Sequence, residues 1–100
     1  MTRGTTVTHI FNFPFSVDYI KTLKIVYGQN DREIFHKNKE SCILDGQTVK
    51  TRLSQKETFK FNHEQKAQIQ VRCLTKNDDA LISSIKTISV GPCLDDEVLK

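Results

Sequence analysis

Ala67-Gln-Ile-Gln-Val-Arg-Cys-Leu74 is the stretch that decides the fold. Ala67, Ile69, Val71 and Cys73 share one phase; Gln68, Gln70, Arg72 and Leu74 share the other. Period two is the repeat of a strand with one dry face, and no helix can bury that pattern. The same alternation recurs on either side. Thr48–Leu53 sets Val49, Thr51 and Leu53 against Thr48, Lys50 and Arg52. Leu23–Tyr27 sets Leu23, Ile25 and Tyr27 against Lys24 and Val26, and Val7–Phe13 sets Val7, His9, Phe11 and Phe13 against Thr8, Ile10 and Asn12. Glu33–Lys37 is short and ambiguous. In Leu81–Val90 the pattern slips: Leu81 and Ile85 fit one phase, Ile88 and Val90 the other, so a bulge or break is expected near Ser84–Thr87.

Turn signals separate these runs. Pro14, Gly28-Gln-Asn-Asp31, Asn38-Lys-Glu40, Asp45-Gly46, Lys76-Asn-Asp-Asp79 and Gly91-Pro92 fall at short intervals, the rhythm of an all-β sandwich or barrel. Asp45-Gly46 is the strongest hairpin signal, since both residue types tolerate positive φ. Ser54-Gln-Lys-Glu57 has the S-x-x-E form of a capping box and predicts one short helical turn near Ser54–Thr58. At least one of Phe59 and Phe61 is expected to plug the open end of the sandwich, and a second short turn is expected at Ser16. The expected fold is all-β: an antiparallel immunoglobulin-like β-sandwich of about seven strands. The likeness is architectural only, because the Cys…Trp…Cys hallmark of antibody domains is missing from a chain without tryptophan. Residues 1–92 are expected to form one domain and residues 93–100 a C-terminal tail.

A chain of 100 residues supports one modest core and is too short for a dinucleotide-binding domain or a β/α barrel. The formal charge of +3 is mild, and no aromatic residue falls among the basic ones on the polar phase, so nucleic acid is not an expected partner. No run approaches the ~20 apolar residues of a membrane-spanning helix, and Met1–Thr6 has no apolar signal-peptide run. Cys42, Cys73 and Cys93 are odd in number and form no C-x-x-C pair. Free thiols and synthesis in a reducing bacterial cytoplasm are the expectation.

No residue stands out as catalytic. None of Ser16, Ser41, Ser54, Ser83, Ser84 and Ser89 lies in a G-x-S-x-G elbow, and the four glycines form no phosphate-cradling loop. The three histidines show neither H-x-x-x-H nor H-E-x-x-H spacing, so neither a metal nor a cofactor is expected. His9 lies on an apolar phase and reads as a half-buried imidazole bonded to a backbone carbonyl; Cys73 reads as a small hydrophobe. The one candidate docking face is polar: Lys50, Arg52, Gln68, Gln70 and Arg72 would form a basic patch if Thr48–Leu53 lay near Ala67–Leu74. Its plain alternative is the hydrated outer face of an antiparallel sheet. The tail, with Leu94, Val98 and Leu99 among acids, is either a frayed terminus or a segment that packs on a neighbour.

Arg3-Gly-Thr-Thr6 leading into Phe11-Asn-Phe-Pro-Phe15, Ile20-Lys21, Gly28-Gln-Asn30, Leu53-Ser-Gln-Lys-Glu-Thr58, Ile69-Gln-Val-Arg72 with Leu74-Thr-Lys76, and Leu94-Asp-Asp-Glu-Val98 together carry a resemblance over nearly the whole chain. In these features the chain resembles short prophage proteins of Gram-positive bacteria, which are similar to the sandwich module at the N-terminus of phage baseplate upper proteins. The resemblance implies a β-sandwich and a place in or near the phage tail, baseplate or its assembly, with the virion as a further location. It carries over no functional residues. His9 departs from the pattern, which has an aliphatic residue there, and this implies a looser core near the first strand. The leading expectation is therefore a structural or accessory protein acting by protein–protein contact, with a tail component or another copy as partner, and not an enzyme. A carbohydrate-binding module using Tyr19, Tyr27 or Phe35 is the alternative, and a small enzyme or enzyme inhibitor comes third.

Overall fold

A computed structural model describes all residues from Met1 to Lys100. It has eight strands: β1 (Val7–Asn12), β2 (Ile20–Gln29), β3 (Arg32–Asn38), β4 (Cys42–Asp45), β5 (Thr48–Leu53), β6 (Ala67–Thr75), β7 (Ala80–Ile82) and β8 (Lys86–Ile88). One helical turn, α1 (Gln55–Thr58), joins β5 to β6. The strands form two antiparallel sheets, ordered β1-β5-β4 and β3-β2-β6-β7, with β8 also on β6. The order matches immunoglobulin strands B-E-D against C′-C-F-G, with no strand flanking β1 on its outer side. A parallel bridge between Thr2 and Gly91 joins the two ends of the chain.

The eighth strand comes from the expected break. β7 and β8 both pair with β6, but Arg72 faces Ile82 whereas Ile69 faces Lys86, so the register slips by one residue across Ser83–Ile85. Ser83 pins the slip: its N–H donates to the Val71 carbonyl at 2.9 Å, and its Oγ accepts from the Val71 N–H at 2.9 Å. The first hairpin is tighter than its polar run suggests. β2 continues through Gln29, and only Asn30 (φ 53°) and Asp31 (φ 61°) make the turn, the two positive angles of a type I′ hairpin. Gly28 lies at a bulge against β3, where a Cβ would come within 2.4 Å of the Arg32 carbonyl oxygen. Between β4 and β5 only Gly46 (φ 61°) has a positive angle, and Asp45 remains in the strand.

The dry layer is the one the alternation marks. Leu23, Ile25 and Tyr27 of β2, Val49 and Leu53 of β5, and Ala67, Ile69 and Cys73 of β6 are buried in one cluster. Phe11 and Val71 pack against it and are partly exposed. Phe61, 1% exposed, plugs the α1 end, whereas Phe59 lies under the Arg3 guanidinium at 5.4 Å. The capping box closes in both directions: Glu57 N–H to Ser54 Oγ at 3.1 Å and Ser54 N–H to Glu57 Oε1 at 2.9 Å. The other Glu57 oxygen meets Lys37 Nζ at 2.6 Å, tying α1 to β3. Gln29, buried at the far end of β2, holds the loop before β6 through Asn62 and Gln65.

Candidate docking surface

The expected basic patch does not form. β5 and β6 lie in opposite sheets and turn their apolar phases toward each other, so their polar phases point away on opposite sides of the sandwich. Lys50 and Arg52 stand on the outer face of the three-stranded sheet; Gln68, Gln70 and Arg72 stand on that of the larger one. Two of the glutamines brace their own sheet: Gln68 exchanges bonds with Asp31 (2.8 and 3.0 Å), and Gln70 donates to the Ser83 carbonyl at 3.1 Å. Of the aromatic residues considered for sugar binding, Tyr27 is wholly buried, Phe35 is half-buried and Tyr19 is exposed.

His9 differs from expectation in its partner. Its Nδ1 lies 2.6 Å from the Tyr27 hydroxyl, not on a backbone carbonyl, and the two rings stack at 5.6 Å. Tyr27 stacks in turn on Phe35 at 5.1 Å, and Phe61 meets both edge-on. The position where the resemblance implied a looser core is thus occupied by an aromatic stack crossing from one sheet to the other. Burial pushes the His9 pKa below its usual value, helped by the amino group of Met1 and by Lys86. Burial likewise pushes the Tyr27 hydroxyl far upward, with Cys42 and Glu57 adding to the shift. Both rings are therefore neutral near neutral pH. Burial also raises the Cys73 thiol, as expected of a cysteine acting as a hydrophobe. All three cysteines are free, and no three His, Cys, Asp or Glu side chains converge as metal ligands would.

One surface feature is not revealed by the alternation alone. Between β1 and the split strand β7–β8 the sandwich gapes into a cleft of about 540 Å³. Phe11, Phe13 and Phe15 line one side; Val71, Leu81 and Ile82 line the other. Lys86 is the only charged side chain in the lining. The slip at Ser83–Ile85 and the run Phe11-Asn-Phe-Pro-Phe15 were its sequence signals, but a cleft follows from them only once β1 is known to lie across from β7.

Beside the cleft runs the outer edge of β1. Phe13 N–H bonds to the Gln47 carbonyl at 2.8 Å. Antiparallel alternation therefore directs the backbone bonds of Val7, His9 and Phe11 toward β5, and those of Thr8, Ile10 and Asn12 to the open edge. The Ile10 side chain is 57% exposed. The other three edges carry devices that discourage strand pairing. β3 carries Arg32, Glu33, His36 and Lys37, with Glu33 paired to both Lys24 and His36. β4 has only four residues and ends in Asp45. β7 and β8 have three residues each and are broken apart. β1 is six residues long, unbroken and without a formally charged side chain at neutral pH.

Comparison with protein families, with curated proteins and with solved structures found no match. No helix is long and apolar enough to cross a membrane.

Proposed function

We propose that this chain is a structural or accessory protein of phage or prophage origin that works by protein–protein contact at or near the tail or baseplate. The resemblance to short prophage proteins supports the phage assignment. The observation that carries the contact is the unguarded edge of β1: open backbone groups at Thr8, Ile10 and Asn12, an exposed Ile10 and an apolar cleft alongside, where every other edge is charged, short or broken. Strand addition at such an edge supplies affinity through main-chain bonds and selectivity through the adjoining pockets.

The test is to mix the purified chain with purified tail and baseplate proteins from its own phage or prophage gene cluster and measure complex mass by chromatography with light scattering. Co-elution with at least one of them is expected. Ile10→Lys guards β1 as β3 is already guarded and, being outward-facing, leaves the fold intact; it is expected to abolish the complex. No complex with a tail protein or with a second copy at ~100 μM, or a complex indifferent to Ile10→Lys, overturns the reading.

A further inference from the structure

The stretch after Gly91-Pro92 complements the cleft. Leu94 is fully exposed and Leu99 is 71% exposed, with Asp95, Asp96 and Glu97 between them. The segment belongs to no strand or helix, and little holds it to its own body. Arg3 reaches Asp96 at 3.4 Å, where the carboxylate is solvated, and solvent-exposed pairs of this kind contribute little. The Gln55 side-chain amide donates to the Leu99 carbonyl at 3.2 Å and accepts from the Leu99 N–H at 3.0 Å. A glutamine there stands in for a neighbouring strand, so the backbone already offers strand-pairing groups to a side chain.

The cleft has the opposite character. It is apolar, its lining holds one cation and no acid, and the nearby charges on the outer face of the three-stranded sheet, Lys50 and Arg52, are also positive. An extended chain places alternate residues on one side. Leu94, Asp96 and Val98 would then face inward, two apolar residues about a carboxylate, against an apolar cleft with Lys86 as its cation. Asp95, Glu97 and Leu99 would face outward, the two acids on the face that carries Lys50 and Arg52 one strand beyond β1.

Resting on the contact reading above, we infer that segment Leu94–Lys100 of one copy adds as a strand along the open edge of β1 in a second copy and fills the cleft between β1 and β7–β8. Within its own molecule the segment leaves from Gly91, held by Met1 and Arg3, and turns toward α1, so the cleft is free for another copy. Donor and acceptor surfaces differ, which makes the contact head-to-tail: it propagates as a chain of copies or closes as a ring.

The experiment compares the full chain with a variant ending at Pro92, by sedimentation, and titrates the truncated variant into a labelled Pro92–Lys100 peptide. The full chain is expected to gain mass with concentration and the truncated chain to stay monomeric. The peptide is expected to bind the truncated chain, roughly tenfold more weakly after Lys86→Glu, with affinity restored when the peptide carries Asp96→Lys. Lys86 is exposed, so its reversal tests the charge match without disturbing the core. A full chain that is monomeric throughout, self-association that survives truncation, or a peptide indifferent to Lys86→Glu overturns the inference. A monomer that still captures a tail protein through the Ile10 edge overturns it while leaving the proposed function standing; a chain that neither self-associates nor captures one ends both.

Discussion

Tyr27→Phe removes a single oxygen from the centre of the sandwich and is expected to cost about 1 kcal/mol. The ring is wholly buried and keeps its stacking between His9 and Phe35, so the loss is confined to the 2.6 Å bond to His9 Nδ1. A bond between two neutral groups nets about 1 kcal/mol, and half-exposed His9 regains water on its freed nitrogen, which keeps the cost near that figure. For a domain of this size that is a fall in Tm of about 4–8 °C. His9→Leu is the worse single change. It leaves the Tyr27 hydroxyl buried without a partner, at about 1–3 kcal/mol. His9→Leu with Tyr27→Phe removes both partners at once and is expected to return stability close to that of the parent chain, since apolar groups of similar shape replace the pair.

Urea unfolding of the four chains at pH 7.5, analysed as a double-mutant cycle, measures the coupling. A pH series adds a second check. The pKa of His9 is lower in the folded chain than the unfolded value of 6.5, so on acidification the unfolded chain takes up its proton first. The stability linked to His9 is therefore complete above about pH 6.5 and is lost as pH falls toward the folded value. In Glu57, burial pulls the carboxyl upward, but hydrogen bonds from Lys37 and Ser54 outweigh it and the net shift is downward from 4.5. Its contribution is complete above that pH and is lost below it. The double variant keeps the Glu57 loss and lacks the His9 loss. Tyr27→Phe at least as stable as the parent, or a double variant as unstable as the two single changes summed, would refute the reasoning.

Gly28→Ala is expected to lower the urea midpoint by the equivalent of about 2 kcal/mol, because the new Cβ would meet a backbone oxygen of the tight β2–β3 hairpin and not a movable side chain. Ser54→Ala removes the acceptor for the Glu57 N–H and is expected to cost about 1 kcal/mol in thermal unfolding. Thr51→Val is expected to stabilise by about 1 kcal/mol, read from the same melts, because the buried Thr51 hydroxyl has no nitrogen or oxygen partner and only the Cys42 thiol beside it.

The legible part of this fold is local. Period two marked the inward residues of β2, β5 and β6, and the phase slip in Leu81–Val90 located the break to within a residue or two of Ser83–Ile85. Ser54 and Glu57 announced their own capping box because both partners lie three residues apart in the chain. What stayed hidden is whatever depends on long-range pairing. Alternation says which face of a strand is dry, but not which strand lies beside it. Lys50 and Arg52 could thus be read correctly as outward-facing and still be joined to the wrong neighbours. The same limit hid the partner of His9: Tyr27 is 18 residues away and in the other sheet.

The β1 edge follows the same logic one level up. Nothing in Val7-Thr-His-Ile-Phe-Asn12 distinguishes an edge strand from an interior one, and the absence of charge even favours the interior. Topology reverses that inference, because β1 has β5 on one side and nothing on the other. A strand with an interior composition in an edge position conflicts with its own surroundings, and such conflicts gather where a protein is built for something besides folding. Arg32, Glu33 and Lys37 on β3 show that charged guards are available to this sequence. On the proposed reading, their absence from β1 marks an edge covered by a partner, and a single guard placed at Ile10 is the smallest change that separates folding from that proposed contact.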